Sequence, residues 1–232
     1  METICILDTE TTGLDPAKGK VIEIAAILFH IPTRSVMAQA STLCHSETNE
    51  AFEVNKINVE SLKQVSSPIL FSTFELITCM MEKCDAIVAH NAEFDKKWIE
   101  TLPQFQIASR NKKWICTRND VKWPIRKGSP LNLIHICAEL GVPIVNTHRA
   151  MSDCHLLLNA INDMDDIVNF LDGSGKGRLT YIAVINFDQR QLAKDAGFIW
   201  NNDDKIWHAK LTPEEAATLP FKVILRSPGV IV

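Results

Sequence analysis

With 232 residues, 46% apolar and 22% charged, the chain is long enough for one well-filled core plus a small appendage, and too apolar to be largely disordered. Its net charge of −4 means that any grip on a polyanion must come from a local basic patch or from metal ions. No apolar run approaches the ~20 residues that cross a bilayer; the N-terminus around Glu2 and Asp8 is not a signal peptide, and seven cysteines without C-x-x-C spacing read as reduced thiols in a cytoplasmic setting.

Residues 4–7, Ile4-Cys5-Ile6-Leu7, form an unbroken apolar run that reads as a strand buried on both faces. It leads into Asp8 and Glu10, and alternation along a strand puts these two carboxylates on the same side. Side by side they repel, and a divalent cation is the usual remedy, although a D-x-E on its own more often marks an acidic strand end facing water. Gly13 and Asp15-Pro16 close a turn. A second apolar run, 21–29, predicts a hairpin partner. Glu23 stands inside it, either as a buried carboxylate near Asp8 and Glu10 or as a chance edge residue. A strand over 36–43 completes a meander. Between 51 and 81 the apolar spacing turns helical, in two pieces separated by Ser66-Ser67-Pro68.

Residues 85–91 read as a short strand ending in His90 and Asn91, with Asn91 a good N-cap for a helix carrying Glu93, Asp95 and Trp98. Asp95 then lies in a first helical turn just past a strand's C-terminal end, where α/β sheets gather their ligands. Positive charge collects over 110–127, including Arg118 and Lys122, around Trp114 and Trp123. Cations interleaved with aromatics suit a nucleic-acid strand; a solvated loop with inward-packed tryptophans is the equal alternative. A helix over 131–140 stops at Gly141. His148 and Asp153 would not share one face of a helix, but they converge if His148 sits on the loop before the helix and Asp153 on its second turn. A lone histidine there is more often a cap or surface residue. Residues 173–178 read as a linker. Beyond them a strand (181–185), a helix (189–196) closed by Gly197, a hairpin (198–208), a helix opened by Thr212-Pro213 and a strand (221–225) make a small α+β module.

Taken together, Asp8, Glu10, Asp95 and Asp153 with His148 are what two-metal phosphodiester hydrolysis uses. Hard Mg²⁺ or Mn²⁺ ions ~3.5–4 Å apart take carboxylate oxygens, and a neutral imidazole can accept a proton from water near neutral pH.

The segments D-T-E-T-T-G-L (8–14), H-N-A-E-F-D (90–95) and H-R-A-M-S-D (148–153) resemble, in that order, the three exonuclease motifs of the DEDDh family, the DnaQ-like branch of the ribonuclease H-like superfamily. The resemblance covers roughly residues 1–170. It implies an α/β fold, a ribonuclease H-like mixed five-stranded sheet flanked by helices, and 3′→5′ release of nucleoside monophosphates. By position it implies Asp8, Glu10, Asp95 and Asp153 as ligands of two Mg²⁺ or Mn²⁺ ions and His148 as general base. Thr11, Gly13 and Asn91 then meet the terminal nucleotide. The W-I-C-T segment, 114–117, is most similar to the exodeoxyribonuclease X branch of the family, and 193–208 is similar to a module attached to some such nucleases. Relatives commonly carry His-Gly-Ile or similar where this chain has Asn55-Lys56-Ile57.

The expectation is a catalytic domain over 1–172, a linker over 173–178 and an accessory module over 179–232. The expected activity is metal-dependent 3′→5′ exonuclease action on DNA with single-stranded or frayed 3′ ends. Trp114, Arg118 and Lys122 would bind substrate, and Lys194, Lys205 and Trp207 of the module would help to hold DNA. Two alternatives stay open: trimming of RNA 3′ ends by the same chemistry, and a polymerase-associated proofreading or adaptor subunit whose module recruits a partner. Homodimers occur in the family, and no membrane contact is expected.

Overall fold

The structure, a computed structural model, describes residues 1–126, 128–172, 179–201 and 204–226. The apolar runs pair as an antiparallel meander of β1 (Thr3–Thr11), β2 (Val21–His30) and β3 (Ser35–Leu43). The first expected helical piece is split into α1 (Phe52–Asn55) and α2 (Val59–Lys63). Lys56 leaves the helix with φ 55°, and Asn58 restarts it by accepting the Glu60 N–H. α3 (Ser67–Lys83) carries Pro68 in its first turn, where a missing N–H costs nothing.

β4 (Ala86–Ala89) and α4 (Ala92–Ile99) follow as expected, then α5 (Gln106–Arg110) and β5 (Lys113–Cys116). β5 lies within the basic stretch 110–127, for which a loop was one of two readings: Lys113-Trp114-Ile115-Cys116 is the fifth strand, parallel to β4. Four residues are too few to display alternation, and their basic flanks hide them. α6 (Leu133–Leu140) ends at Gly141 with φ 75°. α7 (Ala150–Asn162) is followed by a short α8 (Ile167–Asp172) that the apolar spacing did not announce.

The sheet order is β3-β2-β1-β4-β5. β1, β4 and β5 run parallel, so their C-terminal ends share one edge. Ile4 and Ile6 face α6 and α7, packing with Ile136 and Leu157. Cys5 and Leu7 face α3 and α4, packing with Ile77 and Trp98. β1 is thus buried on both faces, as its unbroken apolar run requires, and each fully buried Ile or Leu contributes about 1.5–3 kcal/mol. All seven cysteines are free and all but Cys79 are buried.

A second sheet contains β6 (Leu179–Ala183), β7 (Ile199–Asn201), β8 (Ile206–Leu211) and β9 (Val223–Leu225) in the order β7-β8-β6-β9. α9 (Arg190–Asp195) and α10 (Pro213–Ala217) accompany it, the latter opened by a reciprocal Thr212–Glu215 capping box. Its core is small, built on Ala193, Phe198 and Ala209. The expected linker (173–178) and part of the hairpin turn (202–203) lie outside the described residues. Among the described residues no helix is long and apolar enough to cross a membrane.

Gly19 closes the β1–β2 loop against the core: a Cβ there would lie 2.7 Å from the Trp98 ring and 2.8 Å from the Thr12 hydroxyl. Trp98 is fully buried and has no room to retreat. Gly19→Ala should therefore destabilise the fold by roughly 1–3 kcal/mol, read as a lower urea midpoint; an unchanged midpoint would contradict this packing.

Candidate active site

Asp8 and Glu10 sit at the C-terminal end of β1 and, by alternation, on the side covered by α7. Asp153 lies in the first turn of α7, one turn earlier than the sequence reading placed it. One carboxylate oxygen from each of Asp8, Glu10 and Asp153 lies within 4.8 Å of the other two. This group could hold a metal ion.

Asp95 is outside this group but close enough that its charge acts on Asp8. It is in the first turn of α4, on the opposite side of β1, and is 2% exposed. Its Oδ1 accepts the Thr9 N–H at 3.1 Å and the Thr9 hydroxyl at 2.9 Å. The geometry therefore brings together three of the four expected ligands and ties the fourth to the strand between them.

Glu23 proves to be the buried carboxylate of the two readings offered for it. It stands directly across from Glu10 in the β1–β2 register and is 5% exposed. The Arg149 fork meets it, Nε at 3.0 Å and Nη2 at 2.8 Å, and the Ala150 N–H donates to it at 3.1 Å. Ala150 opens α7, so Glu23 satisfies a donor that the helix leaves orphaned. Arg149 was not singled out from sequence. Its position between His148 and the helix was visible, but its partner lies 126 residues away.

Burial and mutual repulsion shape the electrostatics. Asp8 is held well above the usual carboxylate range, first by burial and then by the charges of Asp95, Asp153, Glu10 and Glu23. Glu10 is pushed up to about 8 by burial and by Asp153, Glu23 and Asp95, with Arg149 pulling the other way. Burial raises Asp95 to about 7 despite the two bonds from Thr9. Asp153 rises to about 6, again chiefly by burial, opposed by His148.

His148 is exposed on the loop before α7, with φ 62°, and its N–H donates to Asp153 Oδ2 at 3.3 Å. Positive φ is uncommon for a residue other than glycine; Asn146, two residues earlier, also has it at 49°. His90 has a different role. It is half-buried, bonded to Thr117 and to the Leu131 carbonyl, and burial lowers it to about 4, so it stays neutral.

The remaining expected contacts divide. Thr11 is buried and donates its hydroxyl to the Gly13 carbonyl at 2.6 Å, building the turn after β1; Gly13 itself has open space around it. Asn91 occupies the N-cap position of α4 but its side chain makes no capping bond, and it is exposed. Trp114 is packed inward, its indole N–H on the Ser109 carbonyl at 3.1 Å, and Trp123 is buried with its N–H on Thr117. The tryptophans therefore follow the inward alternative. Arg118 and Lys122 instead line a large cleft against the second sheet. Asn55 is buried and donates to the Thr11 carbonyl at 3.3 Å. Lys56 adopts the left-handed conformation that glycine favours.

The profile of a family described as exonuclease matches residues 5–161. The chain belongs to this exonuclease family. A domain of unknown function matches residues 179–225. Among its relatives, DNA polymerase III subunit epsilon of Treponema pallidum is 25% identical over 160 residues, 68% of this chain and 74% of the relative. Ribonuclease T of Haemophilus influenzae is 29% identical over 123 residues, 46% of this chain and 53% of that protein. In structure the chain is similar to exonuclease I of E. coli, solved with single-stranded DNA, at TM-score 0.60 and 13% identity over 84% of this chain and 50% of the other. Exonuclease X in complex with 5′-overhanging duplex DNA superimposes at TM-score 0.52 and 22% identity over 74% of this chain and 99% of the other. The chain thus spans about half the length of ribonuclease T and of exonuclease I. The shared fold is the mixed five-stranded sheet flanked by helices, and the reaction class is that of a nuclease.

A carboxylate raised on folding makes the folded state bind more protons than the unfolded one, so stability falls as pH rises through the folded pKa. Buried His90 works in the opposite sense, but only below its ordinary value of 6.5. Between pH 6.5 and 8 the rise of Glu10 to about 8 dominates. In EDTA the melting temperature should fall across that range, and saturating Mg²⁺ should raise it and flatten the slope. A metal-free melting temperature that climbs from pH 6.5 to 8 would contradict the electrostatics described.

Proposed function

We propose that the chain is a metal-dependent 3′→5′ exonuclease that removes nucleoside monophosphates from the 3′ ends of DNA. Residues 1–172 form the catalytic unit and 179–232 an accessory module. The observation that carries this reading is the convergence of Asp8, Glu10 and Asp153 within 4.8 Å beside the exposed His148 loop. An all-oxygen donor set whose members repel one another suits a hard divalent cation. Asp8, Glu10 and Asp153, with Asp95 from its place behind Thr9, would hold two Mg²⁺ or Mn²⁺ ions. When bound, the ions would lower the pKa of the attacking water and stabilise the leaving oxygen.

The chain's own groups supply the rest. A His148 ring nitrogen accepts the proton of the attacking water. Its loop is fixed on one side by the His148 N–H on Asp153 and on the other by the Arg149 fork on Glu23. Asn91, exposed where β4 ends, and the Gly13 turn, where β1 ends, flank the place where the terminal nucleotide would lie.

The same groups would trim RNA, and the likeness to ribonuclease T favours carrying that second reading. A single gel separates the two, with 3′-tailed DNA beside same-sequence RNA in Mg²⁺, Mn²⁺ or EDTA. Metal-dependent laddering from the 3′ end of DNA is expected. His148→Ala should slow it by about 100-fold or more, and Asp8→Ala should abolish it with the far-UV spectrum unchanged. Laddering of RNA alone would move the protein to RNA processing; full activity of either variant would sink the mechanism.

A further inference from the structure

A cleft of about 830 Å³ lies between the catalytic unit and the second sheet. The carboxylates Asp8, Glu10 and Asp153 do not line it. One wall carries Lys97 of α4 together with Arg118 and Lys122 from the turns after β5; the other carries Lys194 of α9, beside Lys210 of β8, which is already paired with Asp120 at 2.7 Å. Cations facing one another across a gap repel unless something anionic lies between them. Among the described residues Lys97, Lys122 and Lys194 pair with no carboxylate, and the Arg118 Nε is buried without a hydrogen-bond acceptor.

Four carboxylates also line the cleft, but most are engaged. Asp195 accepts from Gln191 at 2.8 Å, Asp204 pairs with Arg226 at 2.8 Å, and Glu215 closes the Thr212 capping box. Among the described residues Glu93 faces the gap with no hydrogen bond or ion pair, close enough to influence His208 across it. Neutral donors leave Asp195 and Glu215 charged, but with Asp204 paired to Arg226 the cations Lys97, Arg118, Lys122 and Lys194 outnumber Glu93, Asp195 and Glu215, so the cleft leans positive although the whole chain carries −4.

Topology connects this cleft to the active site. Because β1, β4 and β5 run parallel, Asp8 and Glu10, then Asn91, then Arg118 follow their C-terminal ends in order along one sheet edge. Two strand spacings, about 10 Å, separate the first from the last. Arg118 N–H bonds the His90 carbonyl at 3.2 Å, which joins the cleft wall to the β4 end.

We propose that the cleft is a track for single-stranded nucleic acid, holding the phosphates on the 5′ side of a strand whose 3′ end lies at the carboxylate cluster. The strand direction rests on the exonuclease reading; the binding itself does not. The grip is on phosphates and not by stacking, because Trp123, the aromatic lining the cleft, is 5% exposed. Binding is therefore tolerant of sequence and strongly salt-dependent. The module's contribution differs from that expected from sequence. Lys194 is on the track, whereas Lys205 does not line it and Trp207 packs against Trp200 with ring centroids 5.5 Å apart.

The test uses the full chain with Asp8→Asn to prevent cleavage, and anisotropy of ~20-nucleotide single-stranded DNA and RNA across a salt series. Lys122→Glu with Lys194→Glu, one on each wall, should weaken binding at least tenfold and lower the salt slope by about 1.4, or 0.7 per lost phosphate contact. Lys97→Glu alone provides a second variant should the double one melt early. Lys83→Glu, the same charge change at the far end of α3, should bind like the parent. Cleft variants that bind as tightly as Lys83→Glu overturn the proposal. If the chain with Asp8 restored degrades no nucleic acid while the cleft variants still lose binding, the exonuclease reading fails and the track stands. If it degrades nucleic acid and the cleft variants keep full affinity, the reverse holds. The DNA and RNA arms show which strand the track takes.

Discussion

The structure depends on one electrostatic constraint: five carboxylates are gathered around the last residues of one buried strand. Asp8 and Glu10 project from β1 toward α7, Glu23 faces Glu10 from β2, Asp153 comes from α7 and Asp95 from behind. Taking several charges out of water costs several kcal/mol per ion unless partners are supplied. The chain supplies partners to two of them, Arg149 and the Ala150 N–H to Glu23, and Thr9 to Asp95. Asp8, Glu10 and Asp153 remain, with the His148 N–H the one donor among the described residues to this trio. Their raised pKa values express that deficit. Three acids so placed could hold a cation.

This constraint explains features of the surroundings that packing alone would not ask for. Glu23, third residue of an otherwise apolar strand, is a local violation of its pattern, of the kind that marks functional sites. Its role is to pin the start of α7, and with it the residue next to His148. The positive φ of Asn146 and His148 shows that the loop is held in a shape its residues would not choose, at an expense of order 1 kcal/mol each. Anchors on both sides of His148 make that shape persist.

What was legible in the sequence follows the range of the forces involved. β1 and its two carboxylates could be read because an apolar run and a period of two are local signals. The N-terminal half of the hairpin, the αL stop at Gly141 and the Thr212-Pro213 helix start were local too. β5 was not, since Lys113–Cys116 is shorter than its own periodicity and takes its identity from pairing with β4. The Arg149–Glu23 anchor and the attachment of Asp95 to Thr9 were beyond reach for a related reason: each joins residues more than 80 positions apart. The two tryptophans of the basic stretch could be read either way, and burial decided for the core. The cationic cleft arises only when Lys194 is folded opposite Lys122, which no spacing within either segment encodes.

The most direct test of the central claim is calorimetric titration of the metal-free chain with Mn²⁺, beside Asp8→Asn. The account predicts two ions bound per chain, with loss of at least one of them, or at least tenfold weaker binding, in the variant, and proton release on binding that grows from pH 8 toward pH 6.5 as the raised carboxyls give up their protons. Equal stoichiometry and affinity in the two proteins would contradict it.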